Sequence, residues 1–312
     1  MIGPNVTPSS VTAAFSNGDP QINLTHVGNG VWTGTWRPVH PSTSSVTVAV
    51  TATAIENTSP KGGQANIAAT LSSGGTTPLV TSGGVVHAAT FAAGTPLAPG
   101  SLITIYGSNL ADGTSAAGSL PLPDQSNGVK VFLGSLVMPQ LFTSAGQLNV
   151  QVPYDLPANT QYQVTVQRDS LLSVPEPLVV ASAAPGIFTL NQTGSGAGII
   201  LKADGVTLIQ PGTPAKAGDT VLIYCTGLGP VSPSVPVGSP APSSPLARTV
   251  NPVTVQIGGQ TTTPIFAGLT PGSAGLYQVN VVVPQGIAAS DAVPVTLTVA
   301  GQTSPPVTMA VQ

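Results

Sequence analysis

The residues that could carry out hydrolytic chemistry are few and widely separated in the sequence. A Ser-His-Asp hydrolase needs a histidine beside a serine nucleophile, and the only histidines are His26, His40 and His87. The Gly-x-Ser-x-Gly nucleophile elbow is absent, and so is the strand-turn-helix context that it needs. The sequence therefore predicts that each histidine is solvated or structurally paired and that there is no catalytic residue of this class.

The carboxylates do not form a recognisable pair or cluster. Glycoside hydrolysis would need two of them on either side of a cleft. The aspartates all lie in or beside turn sequences, where Asp caps its own backbone. No spacing resembles an EF-hand loop or another set of metal ligands. We therefore predict no enzyme, no cofactor and no metal site, while a calcium ion held by Asp and backbone carbonyls at a module junction is left open.

Two tryptophans are the best candidates for ligand binding. Trp32 and Trp36 are four residues apart, so on a strand they would share one face, with Gly34 between them. Two coplanar indole rings would give a flat stacking platform for a sugar chain. The alternative is that one or both rings fill the core, as a central tryptophan does in immunoglobulin-like folds. The pattern favours core packing and keeps the platform as its rival, because Gly34 fits both.

The composition excludes some partners. Charged residues make up 5% of the chain, against roughly 25% in an average globular protein. The net charge is -3 and the few Lys and Arg are scattered, so there is no basic patch for nucleic acid. No window approaches the length of apolar sequence that a membrane span needs. The single cysteine, Cys225, excludes an intrachain disulfide and predicts a buried, inert thiol.

A duplicated unit organises the C-terminal two thirds of the chain. The segment 98–110 returns as 216–228, and Gln147–Pro153 returns in the same order as Gln278–Pro284. Apolar residues alternate along these segments, and turn residues separate them, which predicts strands. Asn149 and Asn280 occupy the same place in the two copies, and we expect each side-chain amide to bond to a neighbouring loop backbone.

We predict an all-β fold made of tandem immunoglobulin-like β-sandwich modules. The first module spans residues 1–71 and is followed by a Gly-, Ser- and Thr-rich linker at 72–84. The second and third modules span 85–184 and 185–312. The third carries an insertion at 229–245, whose six prolines predict an extended surface loop.

The two predicted junctions differ in composition. Ala181–Phe188 is short and apolar, so Ile187 and Phe188 should pack where the second and third modules meet. Residues 85–312 should then form one rigid unit. The linker after the first module contains four glycines and no charge, so the first module should swing.

Motifs spread over residues 87–312 resemble a known family. The segment Gly100–Leu110 resembles the opening strand of IPT/TIG-type immunoglobulin-like domains. Together with later motifs it resembles an uncharacterised C-terminal domain family of large secreted acidobacterial proteins. The resemblance implies a secreted or cell-surface bacterial location and carries over no catalytic residue. The later motifs are Gly146–Tyr154, Ala184–Phe188, Ile223–Pro230 and Gly275–Val281.

These observations predict a non-catalytic structural or adhesive role, with other protein subunits or surface polymers as partners. Sheet edges with few Lys to block them can accept a partner strand. One rival is a carbohydrate-binding module that uses Trp32 and Trp36, with polysaccharide as the partner. The other is an accessory C-terminal region of a large secreted enzyme. Because the first residues lack the basic and apolar regions of a signal peptide, we expect the chain to be a piece of a longer protein.

Overall fold

The computed structural model describes residues 8–28, 30–36, 45–56, 58–70 and 77–312. Within these ranges every regular element is a β-strand, which confirms the predicted all-β fold. Valine and threonine dominate the strands, as expected for side chains that fit a pleated, half-buried surface. In this part of the chain no helix is long and apolar enough to cross a membrane.

The N-terminal module, residues 8–70, is built from one sheet and one hairpin. The sheet has the strand order β2-β1-β5-β6, and β3 pairs with β4 to form the hairpin. Alternation along β5 places Val46, Val48 and Val50 on one face, where they pack with Phe15. The strands are β1 (Ser10–Phe15), β2 (Ile22–Asn23), β3 (Thr25–Gly28), β4 (Val31–Thr33), β5 (Ser45–Glu56) and β6 (Ser59–Thr70).

The middle sandwich is formed by the next ten strands. One sheet has the order β7-β8-β13-β12-β9, and the other has β11-β10-β14, with β15 and β16 both pairing with β14. The apolar residues of β8 and β13 that face inward are fully buried between the sheets. The strands are β7 (Leu79–His87), β8 (Leu102–Ser108), β9 (Ser115–Ala116), β10 (Val129–Leu133), β11 (Leu136–Val137), β12 (Gln140–Thr143), β13 (Gln147–Gln151), β14 (Thr160–Arg168), β15 (Leu171–Leu172) and β16 (Glu176–Val180).

The C-terminal sandwich repeats this plan. Its larger sheet has the order β17-β19-β25-β24-β21-β20, with β18 on β19, and its second sheet has β23-β22-β26-β27, with β28 on β26. The strands are β17 (Gly186–Ile187), β18 (Ile200–Lys202), β19 (Thr220–Thr226), β20 (Val231–Ser232), β21 (Arg248–Thr249), β22 (Val253–Ile257), β23 (Gln260–Thr262), β24 (Phe266–Leu269), β25 (Tyr277–Val282), β26 (Ser290–Val299), β27 (Gln302–Thr303) and β28 (Val307–Val311).

The duplication extends from the sequence to the hydrogen bonding. In the middle sandwich Leu97 bridges Val180 in parallel, and in the C-terminal sandwich Ala215 bridges Val311 in the same way. The strand pair β8 and β13 corresponds to β19 and β25, with the same antiparallel register type. The tandem repeat predicted from the sequence is therefore present in the structure.

The predicted linker at 72–84 is wrong in its C-terminal half. Residues 79–84 belong to β7, where Leu79 pairs with Ser108 and Val80 pairs with Gly107. The register shifts between Val80 and Val85, so the small residues between them form a bulge within a strand. The residues at 72–76 lie outside the described part of the chain.

The prediction of a surface loop at 229–245 is also wrong. Val231, Val235 and Ala241 are buried and belong to the core of the C-terminal sandwich. The two-residue strand β20 lies between Pro230 and Pro233 and pairs with β21. The prolines limit the length of the strand, as expected, but the small apolar residues between them turn inward.

Candidate functional site

The two tryptophans line one groove between the N-terminal module and the middle sandwich. The groove has a volume of about 410 Å³. The sheet and the hairpin of the N-terminal module supply most of its wall, and Gln163 and Thr165 of β14 contribute from the middle sandwich. We call it the tryptophan groove. Both candidate residues, Trp32 and Trp36, therefore face a common cavity.

The indole ring of Trp36 is held by stacking on one face and by a hydrogen bond from its Nε1. Its ring stacks on Phe15, with centroids 4.1 Å apart and an interplanar angle of 12°. Its Nε1 donates to Oδ2 of Asp19 at 2.8 Å, and Nδ2 of Asn17 donates to the same oxygen at 3.0 Å. Asp19 is only 6% exposed. The sequence indicated a turn at Asp19. The bond to Trp36 joins residues 17 apart, so no short sequence pattern could indicate it.

Trp32 has different surroundings. It lies opposite His26 in the β3–β4 hairpin, and the two rings are tilted by 45° with centroids 5.0 Å apart. Strand β4 ends at Thr33, so Trp32 and Trp36 do not share a strand. Gly34 makes room for Leu24, because a Cβ added at Gly34 would lie 2.5 Å from a Leu24 methyl carbon.

Two residues that line the tryptophan groove each carry a polar atom without a protein partner among the described residues. The Nε1 of Trp32 and the Oε1 of Gln163 are buried, and neither makes a hydrogen bond within the described residues. One is a donor and the other an acceptor. Buried polar atoms are nearly always paired in folded proteins, so these two are exceptions.

The described histidines have structural partners. His87 is 2% exposed, its Nδ1 accepts the N–H groups of Ala89 at 3.1 Å and Thr90 at 3.2 Å, and Nε2 donates to the carbonyl of Ala184 at 3.0 Å. Burial lowers the pKa of His87 to about 4, which the bond to Ala184 opposes. The neutral ring is thus held by backbone groups on both nitrogens. His26 contacts Trp32, and His40 lies outside the described residues.

Within the residues that the structure describes, no group of three or more His, Cys, Asp or Glu side chains could hold a metal ion. Cys225 is buried, as predicted, and burial raises the pKa of its thiol. Asp204 caps its own turn: Oδ1 accepts the N–H groups of Val206 at 2.9 Å and Thr207 at 2.8 Å.

The amide side chains in the two copies behave differently from the prediction. Nε2 of Gln147 donates to Oδ1 of Asn149 at 2.9 Å, and Nε2 of Gln278 donates to Oδ1 of Asn280 at 2.7 Å. The expected bond to a loop backbone is therefore wrong. Residues two apart on a strand share a face, so each asparagine finds its partner within its own strand.

A set of buried polar contacts joins the two sandwiches. The N–H of Leu102 donates to Oγ1 of Thr226 at 3.0 Å, and this hydroxyl donates to the carbonyl of Gly275 at 3.0 Å. The N–H of Gly238 donates to Oε1 of Gln151 at 2.8 Å. The carbonyl of Gly238 accepts the N–H of Leu122 at 2.8 Å. The proline-rich segment around Gly238 thus bridges the sandwiches, and no local pattern in the sequence indicated this contact.

Two tyrosines lie beside these contacts, because Tyr154 of the middle sandwich packs against the core of the C-terminal sandwich, which contains Tyr277. Tyr154 accepts a hydrogen bond from Nε2 of Gln151 at 3.1 Å, and the Tyr277 hydroxyl donates to the carbonyl of Gly229 at 2.5 Å. Burial raises the pKa of Tyr154 to about 12 and also raises the pKa of Tyr277, so both hydroxyls stay protonated at neutral pH. Gly100 adopts φ +77°, and a Cβ there would lie 2.1 Å from the Tyr154 ring. We call these residues and those of the preceding paragraph the inter-sandwich contact.

Comparison with protein families identifies one part of the chain. Residues 85–179, which include β8 and β13, match the family model of the IPT/TIG domain. This segment is similar to an IPT/TIG domain. The match explains the immunoglobulin-like sandwich of β7–β16, and it supports the coarser part of the resemblance seen in the sequence. The comparison with curated proteins returns no match.

Several solved structures are similar to the chain beyond the IPT/TIG domain, at low sequence identity. SGBP-B of the Bacteroides ovatus mixed-linkage glucan utilization locus, in complex with a mixed-linkage heptasaccharide, is 13% identical with a TM-score of 0.35, and the alignment covers 100% of this chain and 62% of that chain. Gamma-CGTase from alkalophilic Bacillus clarkii is 10% identical with a TM-score of 0.25, over 86% of this chain and 38% of that chain.

A third similar structure is that of domains 5–6 of the S-layer protein SbsC. It is 12% identical with a TM-score of 0.26, and the alignment covers 75% of this chain and 98% of that chain. This chain spans less than two thirds of SGBP-B and of gamma-CGTase. TM-scores this low establish no shared function.

Proposed function

We propose that this chain is a non-catalytic module array of a secreted or cell-surface bacterial protein, in which residues 85–312 serve as a rigid structural spacer. The observation that carries the proposal is the inter-sandwich contact. Domains within one chain move relative to each other by default, unless their interface resists it. Here the interface contains directional hydrogen bonds between buried groups.

Separating the sandwiches would leave several of these groups without partners. Gln151 is 1% exposed, and Oε1 of its side chain is used by Gly238. Thr226 is fully buried and bonds both Leu102 and Gly275. A buried polar group that loses its partner costs about 1–3 kcal/mol, so partial opening is penalised at each position. The contact therefore favours one relative orientation.

The two copies of the repeat differ where the contact is made. Gln151 in the first copy corresponds to Val282 in the second, which is 38% exposed. Tyr277 corresponds to Gly146 in the alignment of the same strands. Burying a glutamine side chain without hydrogen bonds would destabilise a sandwich that stands alone. Here the side chain bonds the next module. The asymmetry supports a junction of fixed geometry.

A distance measurement tests the spacer. Spin labels on Ser135→Cys and Gln302→Cys, both exposed and on different sandwiches, leave the buried Cys225 unlabelled. We expect a narrow distance distribution in the full chain. It should broaden when Gln151→Ala and Thr226→Val remove the polar contacts, and stay narrow in the control Val282→Ala. A broad distribution in the unmodified background contradicts a rigid spacer.

The location outside the cell and the partners belong to the same proposal. The resemblance of residues 87–312 to a C-terminal domain family of secreted acidobacterial proteins supports a secreted or surface location. Strand β6 is an edge of its sheet and pairs with β5 alone within the described residues. Its protecting residues, Pro60 and Lys61, lie at its N-terminal end, so the rest of the edge is little protected against pairing with a strand of another subunit.

A second candidate function is polysaccharide binding in the tryptophan groove. It is favoured by the unpaired Nε1 of Trp32 and Oε1 of Gln163 in a groove lined by two indole rings. Trp32→Phe keeps an aromatic ring and removes the donor. If a sugar binds there, gels that contain neutral polysaccharide should slow the migration of this variant less than that of the unmodified chain. Equal retardation of both proteins contradicts this candidate.

The third candidate is that the array is an accessory C-terminal region of a large secreted enzyme. It requires a catalytic domain elsewhere in the parent protein. The sequence of the parent gene tests this candidate directly, because a hydrolase or transferase domain on the same reading frame would support it.

A further inference from the structure

A second groove lies between the outward face of β8 and β13 and the segment 188–199 of the C-terminal sandwich, and it shares no lining residue with the tryptophan groove. Its volume is about 380 Å³, within the range of roughly 300–1,000 Å³ that is typical of small-ligand sites. We call it the amide groove. Its floor is formed by two paired strands, which contribute Thr104 and Tyr106 from β8, and Gln147 and Asn149 from β13.

The strand register fixes the arrangement of the floor. Tyr106 lies opposite Gln147, and Thr104 lies opposite Asn149. Alternation sends Ile105, which lies between Thr104 and Tyr106 in the sequence, into the core, where it is fully buried. The hydrogen bond between Gln147 and Asn149 orients both amides within the groove. The floor is therefore positioned by regular sheet structure and needs no ligand to form.

Two loops supply the rims, and each holds a residue in the left-handed region. Phe91 follows β7 with φ 56°, and Gln192 follows β17 with φ 55°. This region is unfavourable for side chains larger than glycine, and bulky residues in it concentrate at functional sites. The N–H of Phe91 donates to the carbonyl of His87 at 2.8 Å, and that of Gln192 donates to the carbonyl of Thr189 at 3.1 Å. These bonds hold both loops in place.

The lining selects a chemical class of ligand. Three aromatic rings border the groove, those of Phe91, Tyr106 and Phe188, and the described lining residues carry no charge. An anionic ligand would find no cation to pair with. A purely apolar ligand would bury Oε1 of Gln147 and Nδ2 of Asn149, the amide atoms that the hydrogen bond between these side chains does not use.

We propose that the amide groove binds a neutral saccharide. Sugar hydroxyls both donate and accept hydrogen bonds, as do side-chain amides. The apolar C–H face of a sugar ring packs on the flat face of an aromatic side chain. The groove offers both kinds of group on a preformed floor. This binding role goes beyond the spacer, and its test is independent of the distance measurement.

The duplicated strand pair provides a matched control inside the same chain. The equivalent face of the C-terminal sandwich keeps Tyr224, Gln278 and Asn280. The position of Thr104 is taken by Leu222, and the guanidinium of Arg248 lies 5.0 Å from the centroid of Phe266, which pairs with Asn280. None of these residues lines the amide groove.

Calorimetric titration of the full chain tests the proposal. The probes are hexasaccharides of cellulose, laminarin, xylan and mannan, with hexagalacturonate as the anionic comparison. The unmodified chain should bind at least one neutral probe. Gln147→Ala and Phe91→Gly should each weaken that binding about tenfold or more. The matched substitutions Gln278→Ala and Tyr224→Ala should leave it unchanged.

The variant Phe91→Gly separates a binding role from a structural one. Glycine adopts positive φ without strain, so the substitution removes the ring and should not lower the melting temperature. Failure of every neutral probe to bind overturns the proposal, and so does equal or tighter binding of hexagalacturonate. An equal loss in Gln278→Ala, or a loss in Trp36→Ala that Phe91→Gly does not show, also overturns it, and the latter places the sugar in the tryptophan groove.

Discussion

Oε1 of Gln151 accepts the backbone N–H of Gly238 at 2.8 Å, across 87 positions of sequence. Gln151 belongs to β13 of the middle sandwich, and Gly238 lies in the proline-rich insertion of the C-terminal sandwich. The same glutamine bonds Tyr154 through its Nε2. One side chain thus satisfies groups on both sides of the junction, and its removal should be felt by both sandwiches.

We expect Gln151→Ala to lower the free energy of unfolding by about 2 kcal/mol, because it leaves the buried N–H of Gly238 without an acceptor. Denaturant unfolding followed by circular dichroism measures the change. Val282→Ala is the matched control, since it alters the equivalent position of the other copy on an exposed face, where a change within about 0.5 kcal/mol is expected. If the two variants lose the same stability, Gln151 does not act through the junction.

The stability of the protein should fall as the pH is lowered from about 6.5 to about 4, because of His87. The pKa of His87 is about 4 in the folded chain, against 6.5 for an unperturbed histidine, so the unfolded chain binds the extra proton first. The loss should reach about 3 kcal/mol, the free-energy equivalent of this pKa difference. Unfolding measured at several pH values for the unmodified chain and for His87→Asn tests this.

Asparagine at position 87 keeps an acceptor for the N–H groups of Ala89 and Thr90 but does not titrate in this range. The variant should therefore show a flatter dependence of stability on pH between 4 and 6.5. An unchanged slope would assign the dependence to other groups.

Cys225 should be unreactive toward thiol reagents in the native protein. It is buried, and burial raises the pKa of its thiol, so the reactive thiolate is scarce. Labelling should proceed only as fast as the C-terminal sandwich opens. Ser135→Cys, at an exposed turn, serves as the positive control and should react at once. Rapid native labelling of Cys225 would show that this core is not closed.

Trp36→Ala should destabilise the N-terminal module by about 3 kcal/mol, the lower end of the range for loss of a large aromatic side chain, since Trp36 is half-buried. Both tryptophans of the chain lie in this module, so the fluorescence of Trp32 reports its unfolding. Trp36→Phe keeps a ring to stack on Phe15 and should cost less. Unchanged stability with lost sugar binding would instead assign Trp36 to a stacking platform.

The sequence predicted the strands well where burial alternates regularly. In β13 the alternation assigned Leu148 and Val150 to one face, and both are fully buried. The repeat predicted that one unit occurs twice, and the strand pair β8 and β13 does recur as β19 and β25. Local sequence patterns do not show which strand or module packs against the outward face of each strand.

The errors share that cause. The Gly- and Ser-rich run before Val85 has the composition of a linker, but Leu79 and Val80 find ladder partners in β8. The insertion is rich in proline, yet Val231 and Val235 are buried in the core of the C-terminal sandwich. One sequence signal for the junction was available: the same repeat position holds Gln151 in the first copy and Val282 in the second. Duplicated units are expected to differ where only one of them contacts another module.

Amide hydrogen exchange of the full chain measures the central claim, that the two sandwiches form one rigid unit. The N–H of Leu102 is bonded across the junction to Thr226, and that of Gly238 to Gln151. The N–H of Val206, bonded to Asp204 in an exposed turn, is the internal reference for local opening. We predict that Leu102 and Gly238 exchange only with global unfolding, far more slowly than Val206. Exchange of both junction amides at the rate of Val206 would mean that the sandwiches separate freely, and would contradict the rigid spacer.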